Sequence, residues 1–310
     1  MAFTLNSLTN YTDVKNTFLT EALNSLTGID LLYKVPGVKS PTVVNTLTNT
    51  VYFQSEAGSR TASGDTSISE VLLNPCQVTS YVELKPHDLE PHFAAYMTSG
   101  SYYDGLPFEQ YLYQAHVGLF KQKLEEMIFM GDVLSSTNNL KRCDGIFIKL
   151  RAASASTTNA TWVSLIPSTA VATVDAYLAS AQTISAIANK RLNMIVPFGQ
   201  YQNYLMGIRT ANWFDPSNFG PANSGAEENG IPLSYNHPGS NLWVHGVPNI
   251  SSTYGKGVIC VKDSLIFGYD AESDTEGKGW FSQDKNRYCI EISCKVALGV
   301  ALPAQIVRLG

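Results

Sequence analysis

The sequence predicts an α+β protein, and three patterns support this prediction. A β-prone hairpin comes first, a long amphipathic helix follows between Leu106 and Gly131, and a strictly alternating run closes the C-terminus. A protruding hairpin, a long helix and a sheet that closes at the C-terminus together indicate an α+β architecture.

The first 84 residues predict an arm followed by a hairpin. Residues 1–50 are rich in Thr and Asn and are punctuated by Pro36-Gly37 and Pro41, which is typical of an arm. Short β-prone runs flank a polar tip at 57–65, and these runs are 51–53, 71–73 and 78–84. We therefore expect a long hairpin with a flexible end within residues 51–84.

The strongest helix signal lies between Leu106 and Gly131. Pro107 suits a first helical turn, where its missing N–H costs nothing, and Gly131 ends the pattern. Apolar side chains recur between them at three- and four-residue spacing, at Phe108, Leu112, Ala115, Leu119, Phe120, Leu124, Met127 and Ile128. About 24 residues at roughly 1.5 Å each make a rod of about 36 Å, which suits an extended molecule.

The second half of the chain predicts two shorter helices and then strands. An apolar face indicates a helix at 173–189; a strand-like run at 192–196, a short helix near 200–208 and a Gly/Asn/Pro-rich loop at 212–238 follow. The clearest strand signal is the alternation of apolar with mixed residues at Tyr288, Ile290, Ile292, Cys294, Val296, Leu298, Val300 and Leu302. Two strands, or one strand bent near Gly299, both fit this alternation.

Composition and charge narrow the classes of protein. With 44% apolar and 15% charged residues, a chain of 310 residues can bury a core. Its 21 Lys and Arg residues, against 26 Asp and Glu residues, form no dedicated nucleic-acid patch. Residues 1–15 resemble neither a signal peptide nor a membrane anchor, so we expect synthesis in a cytoplasm and no membrane role. The five scattered cysteines are expected to be reduced, mostly buried thiols.

Candidate chemical sites have simpler explanations. The acidic run at 270–277 lacks the glycine that a calcium-binding loop needs, so a solvated loop is expected. Cys289 and Cys294 fall on opposite faces of a strand, and His87 and His92 show no third ligand, so no metal site is expected. The motifs of serine hydrolases, zinc proteases and phosphate-binding loops are missing, so we predict no catalytic or cofactor-binding residues.

In this order, the elements resemble the major capsid proteins of tailed phages, whose fold is shared with encapsulin nanocompartments. The resemblance spans roughly residues 51–309 and rests on four stretches, which are the run from Cys76 to Leu84, the helix that opens with Leu106-Pro107-Phe108-Glu109 and closes with Gly131-Asp132, the segment Cys143-Asp144-Gly145-Ile146, and the run from Lys285 to Leu309. A helix that ends in Gly-Asp and is followed by Asp-Gly-Ile is the most specific feature.

The resemblance implies a division of the chain and a structural role. The implied parts are an N-terminal arm at 1–45, an extended hairpin loop at 46–90, a peripheral domain at 91–190 with a spine helix at 107–131 and a second helix at 173–189, an axial domain at 191–284, and C-terminal strands at 285–310 that return to the core sheet. Copies would assemble as hexamers and pentamers into an icosahedral or prolate shell around double-stranded phage DNA. Portal, scaffolding and decoration or head-completion proteins are the implied partners. Assembly in the host cytoplasm and a final place in the virion are also implied.

In such a shell, the hairpin of one copy is expected to lie across the spine helix of the next. We hypothesise that Arg60 and Asp65 of the hairpin tip, and Glu109, Glu125 and Glu126 of the helix, contact neighbouring subunits. Glu125 and Glu126 are adjacent, so their side chains diverge by about 100° and cannot form a paired acid/base site.

Three other interpretations stay open. An encapsulin-like compartment that holds an enzyme cargo has the same fold. A different class is an enzyme with an unrecognised site in the loop at 212–238, where Trp213, Phe214 and Phe219 could line a pocket. A tail or fibre protein is the third, and the long amphipathic helix disfavours it.

Overall fold

Helices and strands both occur in the structure, which confirms the α+β class. The structure is a computed structural model, and it describes residues 28–53, 64–85, 108–211, 227–228, 231–251, 256–270, 276–282, 284–285 and 287–310. Most of the predicted arm and the tip of the predicted hairpin lie outside the described residues.

The described residues contain four α-helices. They are α1 (Phe108–Met130), α2 (Ile146–Ala152), α3 (Ala170–Gln182) and α4 (Phe198–Thr210). The bounds of α1 agree with the predicted helix at 107–131 to within one residue at each end. The helix α3 ends seven residues before the predicted end at 189. At that point the Thr183 hydroxyl donates to the Ser180 carbonyl at 2.7 Å, a side-chain bond that competes with the helical ladder.

The same residues contain fifteen β-strands. They are β1 (Tyr33–Pro36), β2 (Thr42–Val51), β3 (Gly64–Leu73), β4 (Cys76–Leu84), β5 (Thr158–Ala160), β6 (Leu192–Pro197), β7 (Glu227–Glu228), β8 (Ile231–Pro232), β9 (Ser234–Asn236), β10 (Leu242–Val247), β11 (Gly257–Cys260), β12 (Leu265–Tyr269), β13 (Glu276–Ser282), β14 (Arg287–Val300) and β15 (Ile306–Leu309).

The long strand β14 is the centre of a five-stranded sheet. One edge of β14 pairs antiparallel with β4, the other edge pairs with β13 and then β12, and β1 adds parallel to β12. The predicted apolar face of β14 is buried, with Ile290, Ile292 and Val296 each 1% exposed. Of the two alternatives for the alternating run, the two-strand one is wrong, because the run forms the single strand β14 as far as Val300; β15 lies beyond the run and joins a different sheet.

A second sheet has six strands in the order β5-β15-β11-β6-β10-β9. Its strand β6 is buried along its whole length, which explains the continuous apolar run that predicted it. The helices α3 and α4 supply apolar side chains to the same core as this sheet. A separate core lies between α1, α2 and the five-stranded sheet.

The predicted hairpin exists, but its position along the chain differs. The strands β2 and β3 pair antiparallel from Thr42 with Leu73 to Val51 with Gly64. The first strand therefore begins nine residues before the predicted run at 51–53, because the Thr- and Val-rich stretch before that run also favours a strand. The assignment of residues 78–84 to the hairpin was wrong, since β4 satisfies its backbone hydrogen bonds against β14.

The helix α1 buries one face against the first core. Phe120, Leu124 and Met127 are buried there, as the apolar spacing predicts, and Tyr113, which is outside that pattern, is buried too. Leu119 is an exception, because 60% of its surface is exposed. Ala115 is exposed as well, whereas Val117, Phe129 and Met130 are buried, so the buried face differs from the predicted one and widens at the end of the helix.

Close packing explains the Gly-Asp and Asp-Gly pairs that follow α1. The Gly145 amide donates to the Gly131 carbonyl at 2.8 Å, and a Cβ on Gly145 would come within 2.7 Å of the Phe129 carbonyl oxygen. Only glycine allows the two backbones to approach this closely. The end of α1 is thereby fixed against the start of α2.

Candidate assembly surface

The hairpin of β2 and β3 pairs with no other strand among the described residues. Residues that oppose each other directly in an antiparallel pair share a face. Val43 opposes Leu72, and Leu47 opposes Ile68, so these four side chains lie on one face. We call this set the apolar hairpin face.

The apolar hairpin face is open to solvent in the single chain. Leu47 is 60% exposed and Ile68 is 67% exposed, and Val43 and Leu72 are about half exposed. An isolated two-stranded hairpin is marginally stable in water and needs an apolar face to pack against something. The side chains of the apolar hairpin face are therefore not buried within the single chain.

The other face of the hairpin is held at its base. Val44 and Val71 pack on a small core that contains Val38 and Leu73. A Cβ on Gly299 of β14 would come within 2.5 Å of a Leu73 methyl carbon, so the hairpin base and β14 are in close contact. The base is thus anchored to the body, while the apolar hairpin face points away from this anchor.

Two further apolar surfaces are exposed on the body of the chain. One is Leu119 on the outer face of α1. The other is the turn after α1, where the Leu134 side chain is 93% exposed. The backbone of this turn is held in place, because the Leu134 amide donates to Asp132 Oδ1 at 2.9 Å. The amide of Val133, also exposed, donates to Asp144 Oδ1 at 3.1 Å. Both surfaces belong to ordered elements and are available to another molecule.

The hypothesised contact residues are distributed unevenly. Arg60 and the side chain of Glu109 lie outside the described residues. Asp65 is exposed at the tip end of β3, opposite Thr50. Glu126 is partly exposed and forms an ion pair with Lys123 at 2.6 Å. Their contacts with other subunits stay predictions.

Glu125 differs from its expected role as a solvated or intersubunit residue. It is 1% exposed, and its two carboxylate oxygens accept hydrogen bonds within the same chain. The Gly28 amide donates to Oε1 at 2.7 Å, and the Asn249 side-chain amide donates to Oε2 at 2.5 Å. Because both donors lie more than 90 residues away in sequence, no local pattern in the helix could reveal this node. Glu125 therefore connects α1 to Gly28 and to the turn after β10 within its own chain.

The expectation that all five cysteines are reduced was wrong. Cys76 at the start of β4 is disulfide-bonded to Cys143, which precedes α2, with Cα atoms 6.0 Å apart. The other three cysteines are free and buried, as expected. The sequence separation of 67 residues conceals the pairing, because only the fold brings β4 beside the turn after α1.

A charged cluster covers one end of the solvent face of the first sheet. Glu83 on β4 accepts from Arg287 at 2.7 Å and from Lys285, and Tyr81 donates to the same carboxylate at 2.8 Å. These hydrogen bonds, with Lys285 first, lower the pKa of Glu83 to about 2. The cluster ties β4 to the start of β14.

Several solved capsid structures have the architecture described above. The chain is 12% identical to a protein in the structure titled "Capsid of native GTA particle", with a TM-score of 0.55 over 90% of this chain and 88% of that one. It is 13% identical to a protein in the satellite phage P4 procapsid, with a TM-score of 0.54 over 95% and 91% of the two chains. A virus-like particle from Pyrococcus furiosus gives 10% identity and a TM-score of 0.51 over 96% and 98%.

This chain has the fold of phage capsid proteins. The fold implied by the resemblance is therefore confirmed. No protein-family model and no curated protein sequence matches the chain. The comparison of structures thus detects the capsid fold, whereas the comparisons of sequence find no match.

Two histidines buried inside the fold are hydrogen-bonded to neighbouring polar side chains. His237 is hydrogen-bonded to Tyr204 and to Asp175, each at 2.7 Å, and joins α3 and α4 to the turn after β9. His245 is bonded to Asn193 at 3.0 Å, and burial lowers its pKa to about 3. Both histidines are satisfied core residues.

The other candidate sites from the sequence, which are the acidic run at 270–277 and the loop at 212–238, lie largely outside the described residues. Asp270 is 5% exposed, so the expectation of a solvated acidic loop was wrong for this residue; residues 271–275 lie outside the described part. Trp213, Phe214 and Phe219 of the alternative enzyme site also lie outside it. Among the described residues, no three His, Cys, Asp or Glu side chains come together as metal ligands. No helix in the same residues is long and apolar enough to span a membrane.

Proposed function

We propose that this chain is the structural subunit of a closed shell that encloses the double-stranded DNA of a tailed phage, and that it is not an enzyme. The similarity in fold to a GTA particle capsid and to the satellite phage P4 procapsid supports this proposal. One observation carries it further than the fold alone, namely the anchored hairpin whose apolar face is uncovered in the single chain.

A closed shell of identical subunits needs contacts between different patches on neighbouring copies. The apolar hairpin face on one copy and the outer face of α1, where Leu119 is exposed, are two such patches. Stable interfaces typically bury roughly 1,200–2,000 Å² of surface. An extended hairpin adds area to such a contact without enlarging the core of its own subunit. Rings of six and five copies then form through the same pair of surfaces.

The proposed division of the chain follows from these elements. The hairpin of β2 and β3 forms the extended loop, α1 is the spine helix of the peripheral domain, and β4 and β14 belong to the body, to which residues 285–310 return. The core that contains the six-stranded sheet also contains α3. In this proposal the axial domain therefore begins before α3 and not at residue 191.

The contents and partners are part of the same proposal. The formal net charge of −5 suits a wall that confines DNA without binding it tightly, because tight binding depends on neutralising phosphates with cations. Portal, scaffolding and decoration or head-completion proteins are the proposed partners. The virion capsid, assembled in the host cytoplasm, is the proposed location.

A second candidate is an encapsulin-like compartment with an enzyme cargo. The similarity in fold to the virus-like particle from Pyrococcus furiosus favours it. The two candidates predict the same shell and differ in what it holds.

Electron microscopy of the purified full chain, combined with analysis of the particle contents, tests both candidates. Hollow or filled polyhedra with capsomers are expected. Nuclease-protected double-stranded DNA in particles from the native source would support the phage shell, and a co-purifying enzyme would support the compartment. A monodisperse monomer that binds a small ligand saturably would contradict both.

A further inference from the structure

An open groove lies where α1, the start of α4 and the turn after β10 meet. Its volume is about 510 Å³. Phe198 and Pro248 supply apolar surface, and Gln122, Gln202 and Lys123 supply polar and charged groups. A groove with a mixed lining suits an amphipathic segment better than a fully apolar one.

The N-terminal segment of the same chain leaves the body beside this groove. The Gly28 amide is bonded to one oxygen of Glu125, and the other oxygen is bonded to Asn249, which lines the groove. Glu126, the next residue of α1, lines it as well. The buried carboxylate of Glu125 thus connects Gly28 to the wall of the groove.

The position of Gly28 is tightly constrained. A Cβ at this residue would lie 2.8 Å from Glu125 Oε1, in addition to a clash with the ring of Phe129. A separation below 3.0 Å is one that real Cβ atoms essentially never show. The backbone is therefore held against α1, and the chain before it must start from this point.

Chain geometry places the end of the preceding segment near the groove. Consecutive Cα atoms are about 3.8 Å apart, so Leu26 lies within roughly 8 Å of the Gly28 Cα atom. Residues 14–26 carry apolar side chains at Val14, Phe18, Leu19, Ala22, Leu23 and Leu26, separated by polar ones. This weakly amphipathic pattern has apolar groups for Phe198 and Pro248 and polar groups for the glutamines.

We propose that residues 14–26 dock in cis in the groove between α1, the start of α4 and the turn after β10. The docked segment would position the N-terminal arm within its own subunit before any neighbour is engaged. This inference does not depend on shell formation, and it applies equally to a single chain that cannot assemble.

Crosslinking with isotope-labelled chains tests the proposal. Leu23→Cys combined with Gln202→Cys is expressed in unlabelled and ¹⁵N-labelled form, and the two are mixed before assembly and treated with a short bismaleimide. Crosslinked peptide pairs of a single isotope are expected. Pairs of mixed isotope would show that another copy fills the groove, and absence of the crosslink would also overturn the proposal. Thr48→Cys with Gln202→Cys is the control and should give no such single-isotope pair.

Hydrogen exchange provides a second readout that does not need new cysteines. The first N–H groups of a helix have no partner within the helix, so those of α4 report whether the groove is covered. A chain that starts at residue 27, which keeps the Gly28 amide and its bond to Glu125, should exchange severalfold faster at 198–202 and 248–251 than the full chain. Equal rates would contradict docking in cis. Both experiments can be repeated with a non-assembling hairpin variant, so their failure is distinguishable from failure of the shell proposal.

Discussion

The apolar hairpin face offers a direct way to disrupt assembly without disturbing the fold. The double substitution Leu47→Asp and Ile68→Asp places two carboxylates where the proposed contact buries apolar surface. Both side chains are mostly exposed in the single chain, at 60% and 67%, so the fold of the subunit should tolerate the change.

The size of the effect follows from the exposed area. Roughly 100 Å² of apolar surface on each side chain, at about 25 cal/mol per Å², contributes ~2.5 kcal/mol per residue when covered. Losing about 5 kcal/mol per contact weakens association by more than about a thousandfold, since about 1.4 kcal/mol is a factor of ten. Because every subunit repeats the contact, closed particles should not form.

Sedimentation velocity and negative-stain microscopy at matched concentration measure the outcome. The matched control is Thr48→Asp with Ser67→Asp, an adjacent and exposed pair on the opposite face of the same hairpin. Wild type and control should form particles, while the Leu47/Ile68 variant should remain as small species with an unchanged circular dichroism spectrum. Particles formed normally by the variant, or equal loss in the control, would refute the role assigned to this face.

Three further predictions concern the subunit. Cys143→Ser, which removes the disulfide to Cys76, should lower the free energy of unfolding by about 4 kcal/mol for a loop of this length. Denaturant titration without reductant measures this, and no loss relative to the wild type under the same conditions would contradict it. Gly28→Ala should destabilise the fold through contact with Phe129, whereas Gly118→Ala, a control at which nothing lies within 4 Å of the added carbon, should not. Equal hydrogen-exchange protection of α1 in wild type and Gly28→Ala would count against the anchor. Because the pKa of Glu83 is lowered in the folded chain, its ionised form stabilises the fold above the usual carboxyl pKa, and this contribution is lost as the pH falls from about 4.5 towards 2. Glu83→Gln should therefore flatten the dependence of the free energy of unfolding on pH over that range. An unchanged pH profile would contradict the role of the charged cluster.

The local elements could be predicted because their signals are local. The 3.6-residue spacing from Phe108 onward predicts α1, since one face of that helix packs on a core. The alternation from Tyr288 predicts β14 for the equivalent reason in a strand. The strand partners could not be predicted in the same way. Residues 78–84 carry a β signal that is compatible with the hairpin and with β14, and only the folded chain selects β14.

The sequence predicts that the hairpin is a contact surface for other subunits, but it does not predict which residues form that surface. The protruding hairpin predicts a surface for neighbours, but the sequence pattern points to the charged tip and not to Leu47 and Ile68. Apolar residues in a strand are usually taken to face a core, so their exposure cannot be deduced from pattern alone. Glu125 was misplaced for the opposite reason, because its partners Gly28 and Asn249 are distant in sequence and satisfy a buried charge.

The central claim is that neighbouring copies complete the burial that the single chain leaves unfinished. A cryo-electron microscopy map of particles assembled from the full chain tests it most directly. We predict closed shells in which Leu47 and Ile68 of each subunit contact the outer face of α1 in the adjacent subunit. Shells with a bare apolar hairpin face, or a chain that stays monomeric at every concentration, would contradict the account.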